Sequence, residues 1–174
     1  MLVKVISGGQ IGADQAGLFA AEDYGIATGG WMPRGFLTSD GTKPEFGPRF
    51  GIRTTESESY PPRTGLNVRD SDGTIRFATN WNSPGERCTL NAICAAHKPH
   101  INFTMPEDRV VDPIEVQKAV EWIKKFNILT LNVAGNVEPK SRNARSFGIT
   151  NFTRDFLGQV FEALGHERKS APTS

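Results

Sequence analysis

The sequence predicts a single α/β domain over residues 1–164, a doubly wound, mainly parallel sheet with helices on both faces, followed by a polar tail over 165–174. Two observations carry this prediction. Short apolar or β-branched runs alternate with stretches of helical period along most of the chain, the pattern that builds parallel sheets. The first run, Val3-Lys4-Val5-Ile6, also breaks into Ser7-Gly8-Gly9-Gln10-Ile11-Gly12-Ala13-Asp14, a strand feeding a glycine-rich turn and then a helix.

The elements follow in order. Residues 10–24 offer a helix whose Ala13, Ala16, Gly17, Ala20 and Ala21 allow close packing on a sheet, and Gly25 ends it. Ile26 to Thr28 is a short strand running into Gly29-Gly30. Thr74 to Thr79 reads as a strand, Pro84-Gly85 opens a helix to about His97, and Ile101-Asn102-Phe103 is a short strand. The clearest helix follows: Asp112 caps it, Pro113 suits its first position, Glu115 completes a capping-box pattern, and Val116, Ala119, Val120 and Ile123 form a buried stripe. Ile128 to Val133 is a strand, and a last helix runs from about Thr150 to Leu164, with a frayed polar tail beyond Gly165. Residues 30–73 break the alternation, with seven glycines and five prolines. Trp31, Phe36, Phe46, Phe50 and Tyr60 argue against a disordered linker there, so loops and short strands folded over the ligand end of the sheet are predicted.

Composition excludes several function classes. Twenty basic and 19 acidic residues give a net charge of +1, so neither nucleic acid nor an acidic membrane has an electrostatic claim on the whole chain. No secretory leader or membrane-length apolar run is evident, which predicts a cytoplasmic protein. Cys88 and Cys94 lie in one predicted helix, separated by about 9 Å of rise, and are read as free thiols packed in the core. With only His97, His100 and His166 beside them, no zinc-site spacing appears, and no serine–histidine–acid arrangement is indicated.

Four segments are candidates for chemistry. In Ser7 to Asp14, glycines let the backbone approach an anion, and the first helical amides can face phosphate oxygens. It is not a P-loop, because no Gly-Lys-Ser/Thr follows, and the dinucleotide fingerprint fails in spacing and in its ribose-binding acid. Gly29-Gly30-Trp31-Met32-Pro33-Arg34-Gly35 joins a flat aromatic to a guanidinium, suited to stacking and anion pairing. Asn67-Val68-Arg69-Asp70-Ser71-Asp72-Gly73-Thr74 is a dense polar run before a strand; it starts like a calcium loop but lacks the later ligands and glycine. Asn132-Val133-Ala134-Gly135 through Glu138, Lys140, Arg142 and Arg145 sets cations after the last strand. Asp14, Asp70, Asp72 and Glu138 are the carboxylates available for acid–base work or for hydrogen bonding a ligand.

Together, Ser7-Gly8-Gly9-Gln10-x-Gly12-x-Asp14, Gly29-Gly30-Trp31-x-Pro33-x-Gly35, Asn67 to Thr74 and Leu131-Asn132-Val133-Ala134-Gly135 resemble the motifs of the molybdenum-cofactor carrier family. That family is similar to a circularly permuted YpsA-like branch of the Rossmann-like SLOG superfamily, which also holds the LOG nucleotide hydrolases. The resemblance covers about residues 3–164. It implies binding, protection and transfer of the molybdenum cofactor, a phosphate-bearing pterin, without chemical conversion, by a cytoplasmic homotetramer that passes it to a molybdoenzyme acceptor. It places ligand contacts on Ser7, Gly8, Gly9, Gln10, Gly12, Asp14, Gly30, Trp31, Arg34, Asn67, Arg69, Asp70, Ser71, Asp72, Gly85, Thr89, Gly135 and Lys140. It implies no catalytic residue and no protein-bound metal. The alternative is an enzyme or sensor for a nucleotide-derived ligand, or a binder of molybdate.

Two departures stand out. Where the family carries Gly-Gly-Thr after the Thr74 strand, Ser83-Pro84-Gly85-Glu86-Arg87-Cys88-Thr89 keeps Gly85 and Thr89 but inserts Glu86, a negative charge close to any anion there. The catalytic glutamate of the hydrolase branch has no counterpart in Thr89-Leu90-Asn91-Ala92.

Overall fold

The computed structural model describes residues 2–170. Six parallel strands form one sheet: β1 (Lys4–Ser7), β2 (Ala27–Met32), β5 (Ile52–Thr54), β6 (Gly73–Ala78), β7 (His100–Thr104) and β8 (Thr130–Gly135). Their order is β5-β2-β1-β8-β6-β7, and β3 (Leu37–Thr38) pairs with β4 (Gly41–Thr42) in a separate antiparallel hairpin. The chain winds outward from β1 through β2 to β5, crosses to β6 and β7, and returns to place β8 at the centre. Ser7 pairs with Val133 and Phe77 with Gly135, so the glycine segments after β1 and β8 leave the same end of the sheet.

The helices divide between the faces. On one lie α1 (Ala13–Asp23), α2 (Phe46–Phe50), α5 (Pro113–Lys125) and α6 (Ile149–Ala163), over a core that includes Val5, Ile75, Phe77, Phe103, Leu131, Val133 and Phe156. The small residues of α1 act as predicted: a Cβ on Gly17 would stand 2.6 Å from Val133 Cβ, so the helix seats directly on β8. In α5, Asp112 accepts a hydrogen bond from Ile114 N at 2.8 Å, a cap that stabilises by about 1 kcal/mol. Val116, Ala119, Val120 and Ile123 are buried, joined by Trp122. Glu115 does not close the capping box; it pairs with Lys118.

The other face carries α3 (Tyr60–Asp70) and α4 (Pro84–Ala96) over a polar layer, because the alternation that sends Ile75 and Phe77 to the apolar core turns Thr74 and Arg76 the opposite way. Asn132 Nδ2 donates to Thr74 Oγ1 at 3.2 Å within this layer.

Four expectations are corrected. Residues 60–70 form a helix, not a loop: Pro61 and Pro62 sit in its first turn, where missing N–H groups cost little, and its buried residues are Thr64, Asn67 and Val68, too polar to announce an amphipathic stripe. The strand predicted over Ile26 to Thr28 runs on through Gly29-Gly30-Trp31 to Met32, and glycine is required at 30 because a Cβ there would lie 2.2 Å from Ser7 O. Residues 165–170 do not fray but fold against the C-terminal end of α1, with Lys169 N donating to Asp23 O at 2.8 Å; residues 171–174 lie outside the described residues. Cys88 and Cys94 are free, but neither is in the core: Cys88 is half-buried and Cys94 exposed. No helix among the described residues is long and apolar enough to cross a membrane.

Candidate functional site

A cleft of about 350 Å³ opens at the carboxyl ends of the central strands, walled by α1, α3 and α4 and lined by Gln10, Asp14, Tyr60, Arg63, Gly85, Cys88, Thr89, Gly135 and Val137, among others. Its position follows from topology. Connections leave β1 toward one face and β6 toward the other, and parallel α/β sheets form their ligand crevice where such connections diverge.

The turn after β1 is built to satisfy itself. Ser7 Oγ donates to Asp14 O at 2.9 Å and accepts from Gly9 N at 3.4 Å, and Gln10 N donates to Asp14 Oδ2 at 3.4 Å. Ile11 N donates to Gln10 Oε1 at 3.0 Å, and Ala13 N, just past Gly12, donates to Asn136 O at 3.2 Å. The amides of Gly9, Gln10, Ile11 and Ala13 are therefore occupied within the protein. Gly9, at φ 66, answers a conformational need and faces Met32, whose Sδ would lie 2.6 Å from an added Cβ. What the turn presents to the cleft is the side chains of Gln10 and Asp14.

Asp14 is buried, and its Oδ2 receives Arg63 Nη1 from α3 at 2.8 Å. Burial pushes this carboxyl above its ordinary range against the opposing pull of Arg63. Gly8 makes the pairing possible: a Cβ there would fall 1.4 Å from Arg63 Nη1, so the guanidinium lies directly on the Gly8 backbone. Arg63 Nε is buried with no protein partner.

On the α4 side, Ser83 caps the helix by accepting from Glu86 N at 3.3 Å, and a Cβ on Gly85 would meet nothing within 4 Å. The charge of Glu86 is matched from beneath: Arg76 Nη2 reaches Glu86 Oε2 at 2.7 Å and Glu86 O at 2.9 Å, while Trp81 covers the guanidinium at 5.0 Å. Burial again raises the Glu86 carboxyl, opposed by Arg76 and reinforced by the nearby charge of Asp14. Asn136 joins the rim. Its Oδ1 accepts from Thr79 N at 2.9 Å and Asn80 N at 3.0 Å, its Nδ2 donates to Glu86 Oε1 at 3.3 Å, and its carbonyl holds Ala13 N.

Of the residues singled out in the sequence, Gln10, Asp14, Gly85, Thr89 and Gly135 line this cleft, and Ser7, Gly8, Gly9 and Gly12 shape its floor. The others do not converge on it. Asn67 clamps the Trp31 backbone, accepting from its N at 2.9 Å and donating to its O at 3.0 Å across from Gly30. The Trp31 indole donates to Asp70 at 2.8 Å under Arg53, and Arg69 holds Asp70 at 2.7 Å, in a separate groove between α3 and β5. Ser71 donates to Val68 O, and Asp72 receives Leu129 N and Thr130 N at the amino end of β8, opposite the cleft. Arg34 pairs with Glu58, and the largely exposed Lys140 faces Asp40 at 3.4 Å. Glu138 accepts from Gly148 N and Thr150 N and so tethers the start of α6.

The sequence reading missed Arg63, Arg76 and Asn136. For Arg76 a signal was present: a lone charge between Ile75 and Phe77 in a predicted strand demands a buried partner.

A family model for the circularly permutated YpsA SLOG family matches residues 5–161. A crystal structure of a protein from Syntrophus aciditrophicus SB, described as a "putative molybdenum carrier protein", shares 31% identity, covers 91% of this chain and 94% of its own, and superposes with a TM-score of 0.80. No curated protein matches. The family model takes in nearly the whole sheet and the cleft at its carboxyl end, and the chain accordingly belongs to the circularly permutated YpsA family of SLOG proteins.

Proposed function

We propose that this chain carries a phosphate-bearing pterin of the molybdenum-cofactor type, bound in the cleft between α1, α3 and α4 and released unchanged to an apo-molybdoenzyme. The observation that carries the reading is the open space before Gly85: a cleft of about 350 Å³ stands free where a side chain would intrude, bordered by unspent hydrogen-bonding capacity. Arg63 Nε has no partner, and the Thr89 hydroxyl, which donates to Gly85 O at 3.1 Å, keeps its acceptor lone pairs. These groups suit a ligand that combines an oxyanion with a heterocycle. The description of the structural neighbour as a molybdenum carrier supports a molybdenum-related cargo. Gln10, Asp14, Arg63, Gly85, Thr89 and Gly135 are the proposed contacts, and a cytoplasmic homotetramer is the proposed assembly, checked by light scattering on the purified protein.

One observation favours a second reading, an enzyme for a nucleotide-derived ligand. Asp14 is held above its ordinary range inside the cleft, a state suited to proton transfer. One experiment decides between them. The purified protein and its Gly85→Val variant are incubated separately with molybdenum cofactor and with a nucleotide panel, and retention, turnover and reconstitution of an apo-molybdoenzyme are measured. Retention and delivery of intact cofactor, lost in Gly85→Val, is the expected result; nucleotide turnover without cofactor retention would establish the enzyme instead.

A further inference from the structure

We infer that Arg63 is the residue that grips the ligand's anionic group, and that Asp14 holds its place in the free protein and takes up a proton when the ligand displaces it. The inference rests on the reading that the cleft receives a phosphate-bearing ligand, and it names how that ligand is recognised.

Three features of the geometry point to it. Arg63 is tied to Asp14 through a single nitrogen, Nη1, while Nε is buried without any partner. A guanidinium satisfied by a resident carboxylate commonly uses two nitrogens in a fork, so this one retains a donor for an incoming oxyanion. Arg63 also lies against bare Gly8 backbone in the cleft wall, where no Cβ obstructs a lateral shift, and Tyr60 offers a ring 5.5 Å from its guanidinium. Finally, Arg63 comes from α3, whereas Asp14 is fixed to the turn after β1 by Gln10 N and by its own carbonyl bond to Ser7. The arginine is the movable partner.

The proton follows from what surrounds Asp14. Among the described residues, Arg63 on α3 is the one cation in hydrogen-bond contact with its carboxylate; Glu86 on α4 is a second buried carboxylate nearby, itself held by Arg76 on β6; Gln10 and Gly135 supply only backbone contacts. Once Arg63 turns to the ligand, the Asp14 carboxylate would face both the ligand's negative charge and Glu86 in a buried setting. Burial already raises this carboxyl while Arg63 opposes it, and loss of that opposition raises it further. The carboxylate therefore accepts one proton from solvent and becomes a neutral hydrogen-bond donor. By linkage, affinity weakens as pH rises through the range in which the free protein has Asp14 ionised and the complex has it protonated, by at most about tenfold per pH unit.

The test uses sulfate, a dianion that does not titrate near neutrality, beside inorganic phosphate and molybdenum cofactor. Calorimetry of the wild-type protein in buffers of different ionisation enthalpy, from about pH 6 to 9, counts protons directly; Asp14→Asn provides the control. Uptake of about one proton per sulfate bound, abolished in Asp14→Asn, together with tighter binding by that variant at the alkaline end, is the expected result. Binding without proton uptake in the wild type would overturn the inference, and that arm needs no variant to fold. Cofactor retained without proton uptake would leave the carrier reading standing and this one fallen. Sulfate bound with proton uptake while cofactor is not retained would do the reverse. Failure of all three probes to bind saturably would reject both.

Discussion

Arg76 and Glu86 are both almost fully buried, meeting at 2.7 Å between the polar face of β6 and the first turn of α4. The pair removes the objection that Glu86 would repel an anion from this helix, since its charge is matched before any ligand arrives. Removal of one partner leaves the other charged and buried without its counterion. Arg76→Met should therefore lower stability by about 3 to 5 kcal/mol, read from urea unfolding, whereas Arg76→Met combined with Glu86→Leu should recover most of the loss. A double variant no more stable than the single would show that the cost lies in packing rather than charge.

Burial of Glu86, opposed by Arg76, gives stability a pH dependence of known sign. The folded-state pKa of Glu86 is raised, so the native state holds its proton more tightly than the unfolded chain does. Its contribution is fully present below the unfolded pKa and declines as pH rises through the folded one. Wild-type stability should thus fall more steeply with rising pH than that of Glu86→Gln over this window. Parallel pH profiles from chemical denaturation would contradict the assignment.

Gly8→Ala tests the seat of Arg63. Gly8 is not among the positive-φ glycines, so alanine is conformationally acceptable, but its Cβ would land 1.4 Å from Arg63 Nη1 and 2.7 Å from Asp14 Oδ2. The flexible guanidinium should yield while the fold survives, with a loss of about 1 to 3 kcal/mol from the carboxylate left poorly paired. Retention of anion binding at wild-type affinity would remove Gly8 from the account of the site.

Gly85→Val and Gly9→Val should separate ligand from fold. Valine at Gly85 meets empty space at a position that lines the cleft, so melting temperature should hold while ligand uptake falls at least tenfold, about 1.4 kcal/mol. Valine at Gly9 meets Met32 and a left-handed backbone, and should lower the melting temperature by several degrees whether or not ligand is present. The reverse pattern in thermal scans and binding assays would exchange the two roles.

Legibility in the sequence tracked how local each cause was. The α5 cap, its proline and its stripe all lie within a dozen residues, and its boundaries read correctly. Gly8 and Gly135 were legible because glycines beside strand ends report close approach, whereas Gly85 stands in the first turn of α4 facing open space. Helix α3 was hidden because it buries Thr64 and Asn67 where a stripe detector expects leucine. The Asp14–Arg63 pair was hidden for a different reason: its members are 49 residues apart and meet only after β2 and β5 have placed α3 beside the turn. In the polar run from Asn67 to Asp72, density of hydrogen-bonding groups is equally the mark of a joint: Asn67 and Asp72 spend theirs on strands β2 and β8.

Asn136 fastens the loop after β6, the start of α1 and Glu86 with one residue. Asn136 thereby ties the α1 and α4 sides of the cleft to the end of the sheet. The third side is the opening turn of α3, where Pro61 and Pro62 contribute no N–H and Arg63 reaches across to Asp14. One nitrogen of one guanidinium joins that wall to the turn after β1, so under the proposed function the contact that meets the cargo is also the one that holds the two sides of the cleft together.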